Sequence, residues 1–430
     1  MAASRSPGPR TGADSARARP QPRPGTPFQR IRWFEVQRPC LGLFGHLAFP
    51  FCIAGRRTTS LGPTSLGRRE LSVSVAVTGA TGFLGLHLVR ELLRHHNRVL
   101  LLSRRNTVPA EERVTRFLQA SGVTDTRLLE LTPRLTSVDI DVRVPQLGLG
   151  DAAFQQLADR IDVLWHCAGN ISFSDCDEDV WRTNVDGMRH VLALVSAGRR
   201  EPLVCHVSTV AVAGGRRHGT VREEELDASH GFQTLYERSK YEAEVLLRRW
   251  VRLHGGRAAV FRPSGLITHH PTYPGRPRHL LQMAAEACAA GLRMFPELAA
   301  PDGSLRVPAA EGAQTNMLPV EHAAFAMVEA VRRRPPRDID TYHVVNSRNT
   351  PMTEVAAAIA GHLDTPEVHL DPRPGPPVSP AVQAVSREFG MYTRWLQVTR
   401  RYDDTNLAAL GLSYPGRPTV DRDYLRDCLR

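Results

Sequence analysis

The sequence predicts an α/β fold built on a doubly wound parallel sheet, and two observations carry the prediction. An apolar, β-branched run at 71–77 is followed by Gly79-Ala80-Thr81-Gly82-Phe83-Leu84-Gly85, then by Leu88, Val89, Leu92 and Leu93 at helical spacing. This order reads as strand, tight glycine turn and helix. Short apolar runs recur at 98–103, 138–142, 161–166, 203–208 and 258–261, separated by helical stretches around 110–120, 151–158, 178–197 and 234–253. Strands alternating with helices in this way form parallel sheets covered on both faces.

The first turn lets main-chain amides at a helix N-terminus face a pyrophosphate, where unpaired N–H groups and the helix dipole both favour negative charge. The second run ends at Arg104 and Arg105, where dinucleotide folds meet the adenosine ribose. An acidic residue there would bind the 2′-hydroxyl of NAD, whereas arginine can fork onto a 2′-phosphate. NADPH is the expected cofactor. Ligands in such sheets sit beyond the carboxyl ends of the strands. That brings Asp141, Cys167, Ala168, Gly169, Ser208, Thr209, Arg262, Pro263 and Ser264 to one rim.

The 55 basic side chains include a single lysine, Lys240, in Tyr236-Glu-Arg-Ser-Lys240. Arginine serves wherever a generic positive charge would do, so Lys240 is read as chemical: its ammonium is a compact point charge, unlike the planar guanidinium fork. Tyr236 and Lys240 fall one helical turn apart on one face, and Thr209 closes the run at 203–208. A close ammonium is expected to lower the phenol from its ordinary value of roughly 10, making Tyr236 a usable proton donor. Thr209 would hydrogen-bond the same substrate oxygen.

Charge is concentrated at one end of the chain. Residues 1–70 carry twelve arginines against Asp14, Glu35 and Glu70, a net +9 of the whole chain's +11. This leader lacks periodic apolar content and reads as disordered. Its apolar patch at 40–54 is broken by Gly42, Gly45, His46 and Pro50 and is too short to span a bilayer. It is read as a tail or an upstream start ahead of the organellar transit peptide that its Arg-rich, acid-poor composition resembles. A nucleic-acid stripe would lie on a folded, aromatic-interleaved face, so no nucleic-acid partner is expected. Seven cysteines without a Cys-x-x-Cys pair argue for a reducing compartment, with the cytoplasm as the expected location. His269-His270 and the scattered histidines lack metal-ligand spacing, and no metal is expected.

On these residues the chain resembles the extended short-chain dehydrogenase/reductases, whose hallmarks are this Rossmann glycine turn, an Asn like Asn184, a Ser/Thr and Tyr-x-x-x-Lys. More narrowly, it is similar to the thioester reductase branch, which includes terminal domains of carboxylic acid reductases and peptide synthetases and the fatty acyl-CoA reductases. The narrower likeness rests on Pro145-Gln-Leu-Gly-Leu149, Ile161-Asp-Val-Leu-Trp-His166, Val207-Ser-Thr209-Val-Ala-Val212, Val260-Phe-Arg262, Tyr402-Asp-Asp-Thr-Asn406-Leu and Val420-Asp-Arg-Asp-Tyr424-Leu, over about residues 72–430. The resemblance implies that Gly79, Thr81, Gly82, Phe83 and Leu84 form the phosphate loop, that Arg104 meets the 2′-phosphate, and that Asp141 and Val142 edge the adenine. Gly85, Arg105, Cys167, Ala168, Gly169, Ser208, Tyr236, Lys240 and Pro263 complete the expected cofactor site. The chain departs from the branch at Ile140, where Gly is usual, and at Cys167-Ala-Gly169-Asn170 after His166.

The expectation is therefore an NADPH-dependent reductase that converts an acyl thioester to an aldehyde, with alcohol after a second hydride. Thr209, Tyr236, Lys240 and Asn184 form its expected catalytic group. Residues 71–262 would bind the dinucleotide, and residues 263–430 would mainly form a small substrate lobe interleaved with that domain. The sequence contains no adenylation or carrier domain, so an acyl carrier protein or coenzyme A is expected to deliver the acyl group. One alternative is a sugar-nucleotide epimerase or hydroxysteroid-type dehydrogenase, against which Arg104 and Ala213-Gly214 stand. Another is a non-catalytic dinucleotide sensor, against which the intact Tyr-Lys pair stands.

Overall fold

The apolar runs become strands of one sheet. A computed structural model describes residues 74–172, 178–294, 305–335, 337–365, 368–372, 395–412 and 419–430. Its main strands are β1 (Val75–Thr78), β2 (Val99–Ser103), β3 (Leu135–Asp139), β4 (Val163–His166), β5 (Leu203–Val207), β6 (Arg257–Pro263) and β7 (Ile339–Val344). They lie in the order β7-β6-β5-β4-β1-β2-β3, with every neighbouring pair parallel. The chain moves outward from β1 through β2 and β3, then returns to build the other half from β4. The crevice between the ends of β1 and β4 is thus the topological switch point at which such sheets bind ligands.

Alternation along the strands supplies two apolar faces. Val75, Val77, Val99, Leu101, Trp165, Cys205 and Phe261 pack beneath α1 (Phe83–Leu92), α2 (Ala110–Ala120) and a later helix, Val320–Arg333. Ala76, Leu100, Leu102, Leu164, Val204 and Val260 pack on the other side, beneath α3 (Asp151–Ala158), α4 (Gly187–Ala197) and α5 (Leu235–His254). A third cluster joins α6 (Leu280–Met294), α8 (Met352–Leu363) and α9 (Arg422–Leu429), where α7 denotes Val320–Arg333. Burying each Leu, Val or Phe contributes roughly 1.5–3 kcal/mol, so these faces hold the strand ends, and the groups just beyond them, in place.

The doubly wound parallel sheet is as expected, and the differences lie in its details. The third strand occupies Leu135–Asp139 instead of 138–142. Past Ile140 the chain turns away through Pro145–Gly148, where Asp141 N–H donates to Leu147 O and Gln146 and Leu147 have positive φ. The expected helix at 178–197 is divided: Glu178–Trp181, a wider π-helical turn at Arg182–Asp186, then α4. Strand β7 had no forecast. Its polar residues Asp340, Thr341 and His343 are buried because Arg334, Arg248 and Arg262 reach them from elsewhere in the fold. Expectations for the leader, for 71–73 and for Cys176 lie outside the described residues. Among the described residues, no helix is long and apolar enough to cross a membrane.

Candidate active site

Immediately after β1, Gly79 adopts φ +67 and its carbonyl accepts from Gly82 N–H at 3.0 Å. A Cβ on Gly79 would lie 2.6 Å from Ala168 N, and one on Gly85 would lie 2.1 Å from Gly79 O. Only glycine lets the turn press against the end of β4 and lets α1 press back onto the turn. The N-cap of α1 is Gly82, with no side-chain cap, so the first helical amides face outward uncapped. This cradle fits a pyrophosphate. Thr78 Oγ1 ties the two strand ends together, accepting from Ala168 N–H at 3.2 Å and lying 2.9 Å from His166 Nδ1.

Arg104 and Arg105 leave the end of β2 exposed. Asp141 is held by Arg143, whose Nε and Nη2 donate at 3.0 and 2.7 Å to its two carboxylate oxygens. Those hydrogen bonds hold the Asp141 carboxyl below its ordinary value, and Arg104 adds to the effect.

The other half of the site is carried by α5. Thr234 Oγ1 caps the helix by accepting from Glu237 N–H at 3.1 Å, while the Glu237 carboxylate accepts from Gln233 N–H at 2.6 Å. This reciprocal cap fixes the first turn, which carries Tyr236. One turn later Lys240 is 4% exposed and donates to Val207 O at 2.6 Å. Thr209 is extended, caps the short turn Val210–Ala213 through Ala211 N–H at 3.2 Å, and lines the same cavity wall as Tyr236. Burial lowers Lys240 to about 8, against the opposing pull of Cys167 and Glu244.

The expected lowering of the Tyr236 phenol is not what the structure shows. Burial pushes it up to about 12, the Thr209 hydroxyl pulls it partly back, and Lys240 is not among the groups that shift it. The physical reason is that desolvation of the phenolate outweighs its neighbours' charges here. Burial also pushes the Cys167 thiol up to about 12, with Lys240 opposing.

Asn184 lies in the π turn, 1% exposed. Its Nδ2 donates to Ser239 Oγ at 2.9 Å and to Asn170 O at 3.0 Å, and its Oδ1 accepts from Asn170 N–H at 2.9 Å. It joins α5 to the loop after β4. Glu244, one further turn along α5 from Lys240, escaped the sequence reading although its i+4 spacing was visible. It is fully buried and accepts from Arg262 Nε and Nη2 at 2.9 and 2.8 Å and from Ser208 Oγ. Burial alone would raise its carboxyl, and Arg262 with Ser208 outweighs that, holding it below the ordinary value.

These elements enclose a cavity of about 330 Å³. Gly82, Phe83, Leu84, Gly85, Cys167, Gly169, Ser208, Thr209, Tyr236, Lys240 and Pro263 line it. Among the expected site residues, Gly79, Thr81, Ala168, Arg104, Arg105, Asp141, Val142 and Asn184 do not. The C-terminal part of the chain contributes Leu266, Met283, Asn316, Trp395, Arg400 and Tyr402, whose places no local spacing had indicated.

Fold and site together define a dinucleotide-binding oxidoreductase of the extended short-chain type. An NAD-binding family described as "Male sterility protein" matches residues 77–327; the chain belongs to this family, in its thioester reductase branch. The L-2-aminoadipate reductase large subunit of Penicillium chrysogenum is 26% identical over 291 residues, 63% of this chain and 19% of that protein. Human fatty acyl-CoA reductase 1 is 28% identical over 153 residues, 34% of this chain and 29% of that one. A solved terminal R domain from the myxalamid PKS-NRPS biosynthetic pathway aligns with a TM-score of 0.64 and 26% identity, covering 83% of this chain and 90% of that chain. The chain spans less than a third of the length of the curated relatives it matches.

Proposed function

We propose that the protein is an NADPH-dependent reductase of acyl thioesters, with Thr209, Tyr236 and Lys240 as its reacting group. The observation that carries this reading is that Thr209, Tyr236 and the buried Lys240 line one cavity wall beside the glycine cradle, Lys240 one helical turn from Tyr236. Its relatives include reductases and a PKS-NRPS terminal domain, which supports an acyl group presented on a carrier protein or coenzyme A. Exposed Arg104 and Arg105, with Asp141 neutralised by Arg143, support a 2′-phosphate at the adenosine end. Residues 71–262 would hold the dinucleotide and residues 263–430 would mainly cover the substrate. The free cysteines Cys167, Cys205, Cys288 and Cys428 support a reducing, cytoplasmic setting.

A bound nicotinamide dinucleotide supplies hydride to the thioester carbonyl carbon. Thr209 and Tyr236 donate hydrogen bonds to the carbonyl oxygen as it gains charge. Tyr236 then transfers its proton to that oxygen, giving a hemithioacetal, while Lys240, bonded to Val207 O, holds the turn that carries Tyr236 against the strand leading into Thr209. Breaking the carbon–sulfur bond sends the hydroxyl proton, by way of Tyr236, to the departing sulfur, and a proton from solvent restores the Tyr236 phenol. One hydride and one proton thus convert the thioester to an aldehyde and a thiol, and a second round would give the alcohol. The test follows NADPH absorbance and free thiol together over a panel of acyl thioesters. Turnover of a keto or hydroxy substrate with no thiol released from any thioester would overturn the proposal.

A further inference from the structure

The substrate side of the cavity contains a buried cation with no anionic partner among the described residues. Arg400 is 8% exposed and lines the cavity. Its Nε donates to Tyr402 Oη at 2.8 Å, and its Nη1 donates to Gly214 O at 2.7 Å and Arg216 O at 2.8 Å. All three acceptors are neutral, and Nη2 has no partner among the described residues. The rest of the wall does not compensate. Among the described residues its one acidic residue, Glu237, already accepts from Gln233 N–H at the start of α5; of its other cations, Arg278 is exposed and paired with Glu286, and Lys240 is bonded to Val207 O. Burying an unpaired charge is costly unless a ligand supplies the counter-charge.

The position of Arg400 limits how far that counter-charge lies from the reacting carbonyl. Gly214 follows Thr209 across the 3₁₀ turn Val210–Ala213, which advances roughly 2 Å per residue, so Arg400 is anchored within on the order of 10 Å of Thr209. A pantetheine phosphate, separated from its sulfur by roughly 15 Å of extended chain, would have to fold back on itself to meet Arg400. A carboxylate at the far end of a short acyl chain fits this span.

Resting on the thioester reading above, we propose that the site selects acyl thioesters whose short chain ends in a carboxylate, and that Arg400 is the residue that holds it. The experiment compares adipyl with hexanoyl thioesters, equal in length and differing in the terminal carboxylate, as N-acetylcysteamine and as coenzyme A derivatives. The wild-type protein is expected to favour adipyl by roughly tenfold or more in kcat/KM in both series, the range of a charged hydrogen bond. Arg400→Gln should bring that ratio toward one, and Arg400→Lys should retain part of it, with melting temperatures checked because Arg400 also holds Gly214 and Arg216. Calorimetry of adipate against hexanoate on the NADPH-loaded protein reads the same preference without turnover. A wild-type ratio near or below one, or a preference that survives Arg400→Gln, would overturn the inference while leaving thioester reduction intact. An Arg400 effect confined to the coenzyme A series would overturn it in favour of the phosphate. Failure of every thioester to turn over would instead sink the functional reading, and calorimetry would still decide the role of Arg400.

Discussion

The Lys240 ammonium donates a 2.6 Å hydrogen bond to the main-chain oxygen of Val207, the last residue of β5. That contact couples the helix carrying Tyr236 to the strand that leads into Thr209. A hydrogen bond to a charged group contributes roughly 1.5–3 kcal/mol. The chain's one lysine therefore sets the register between the helix turn carrying Tyr236 and the strand end carrying Thr209.

Replacing Lys240 by Arg should reduce turnover by roughly a hundredfold or more despite the retained charge. The site is closed around a compact ammonium, and the planar fork cannot occupy it. Tyr236→Phe should lose activity similarly while NADPH affinity, measured by fluorescence titration, stays near wild type. A Lys240→Arg enzyme running at close to the wild-type rate would contradict this account.

Activity should decline as pH rises through about 8, because burial lowers Lys240 to that value and the charged form lies on its acid side. The quantity to follow is kcat/KM, which reports groups of the enzyme before substrate binds. A profile flat to two units above that value would show that the Lys240 charge is not needed.

Substituting Arg104 and Arg105 together by Ala should weaken NADPH far more than NADH, roughly tenfold or more, since only NADPH carries the 2′-phosphate. Titrations of both cofactors against both proteins check this. Equal losses would leave the arginines as a general attraction.

Cys167→Ala should keep most of the activity although Cys167 lines the cavity. Burial pushes its thiol up to about 12, so little thiolate exists near neutral pH to attack a carbonyl. Trapping of an acyl group on Cys167, seen by mass spectrometry of the intact protein, would reverse that conclusion.

Glu244→Gln should destabilise the fold by about 3–5 kcal/mol, because it leaves the buried Arg262 guanidinium uncompensated. Denaturant unfolding measures the loss directly. A change below about 1 kcal/mol would mean that water reaches Arg262 and takes over the role of the carboxylate.

The sequence by itself determined what local spacing can determine. Glycines at 79, 82 and 85 between a strand and a helix define the cradle, and Tyr236 and Lys240 at i and i+4 must share one helical face. The same rule could have added Glu244. The tertiary structure alone decided which groups meet across long separations: Arg262 with Glu244, Arg400 with the Gly214 carbonyl, and Arg334, Arg248 and Arg262 with the buried polar residues of β7. It also decided the electrostatics, raising Tyr236 where a neighbouring lysine had seemed enough to lower it. Side-chain period follows from the backbone geometry of one segment, whereas desolvation and charge pairing depend on every segment that closes over a group.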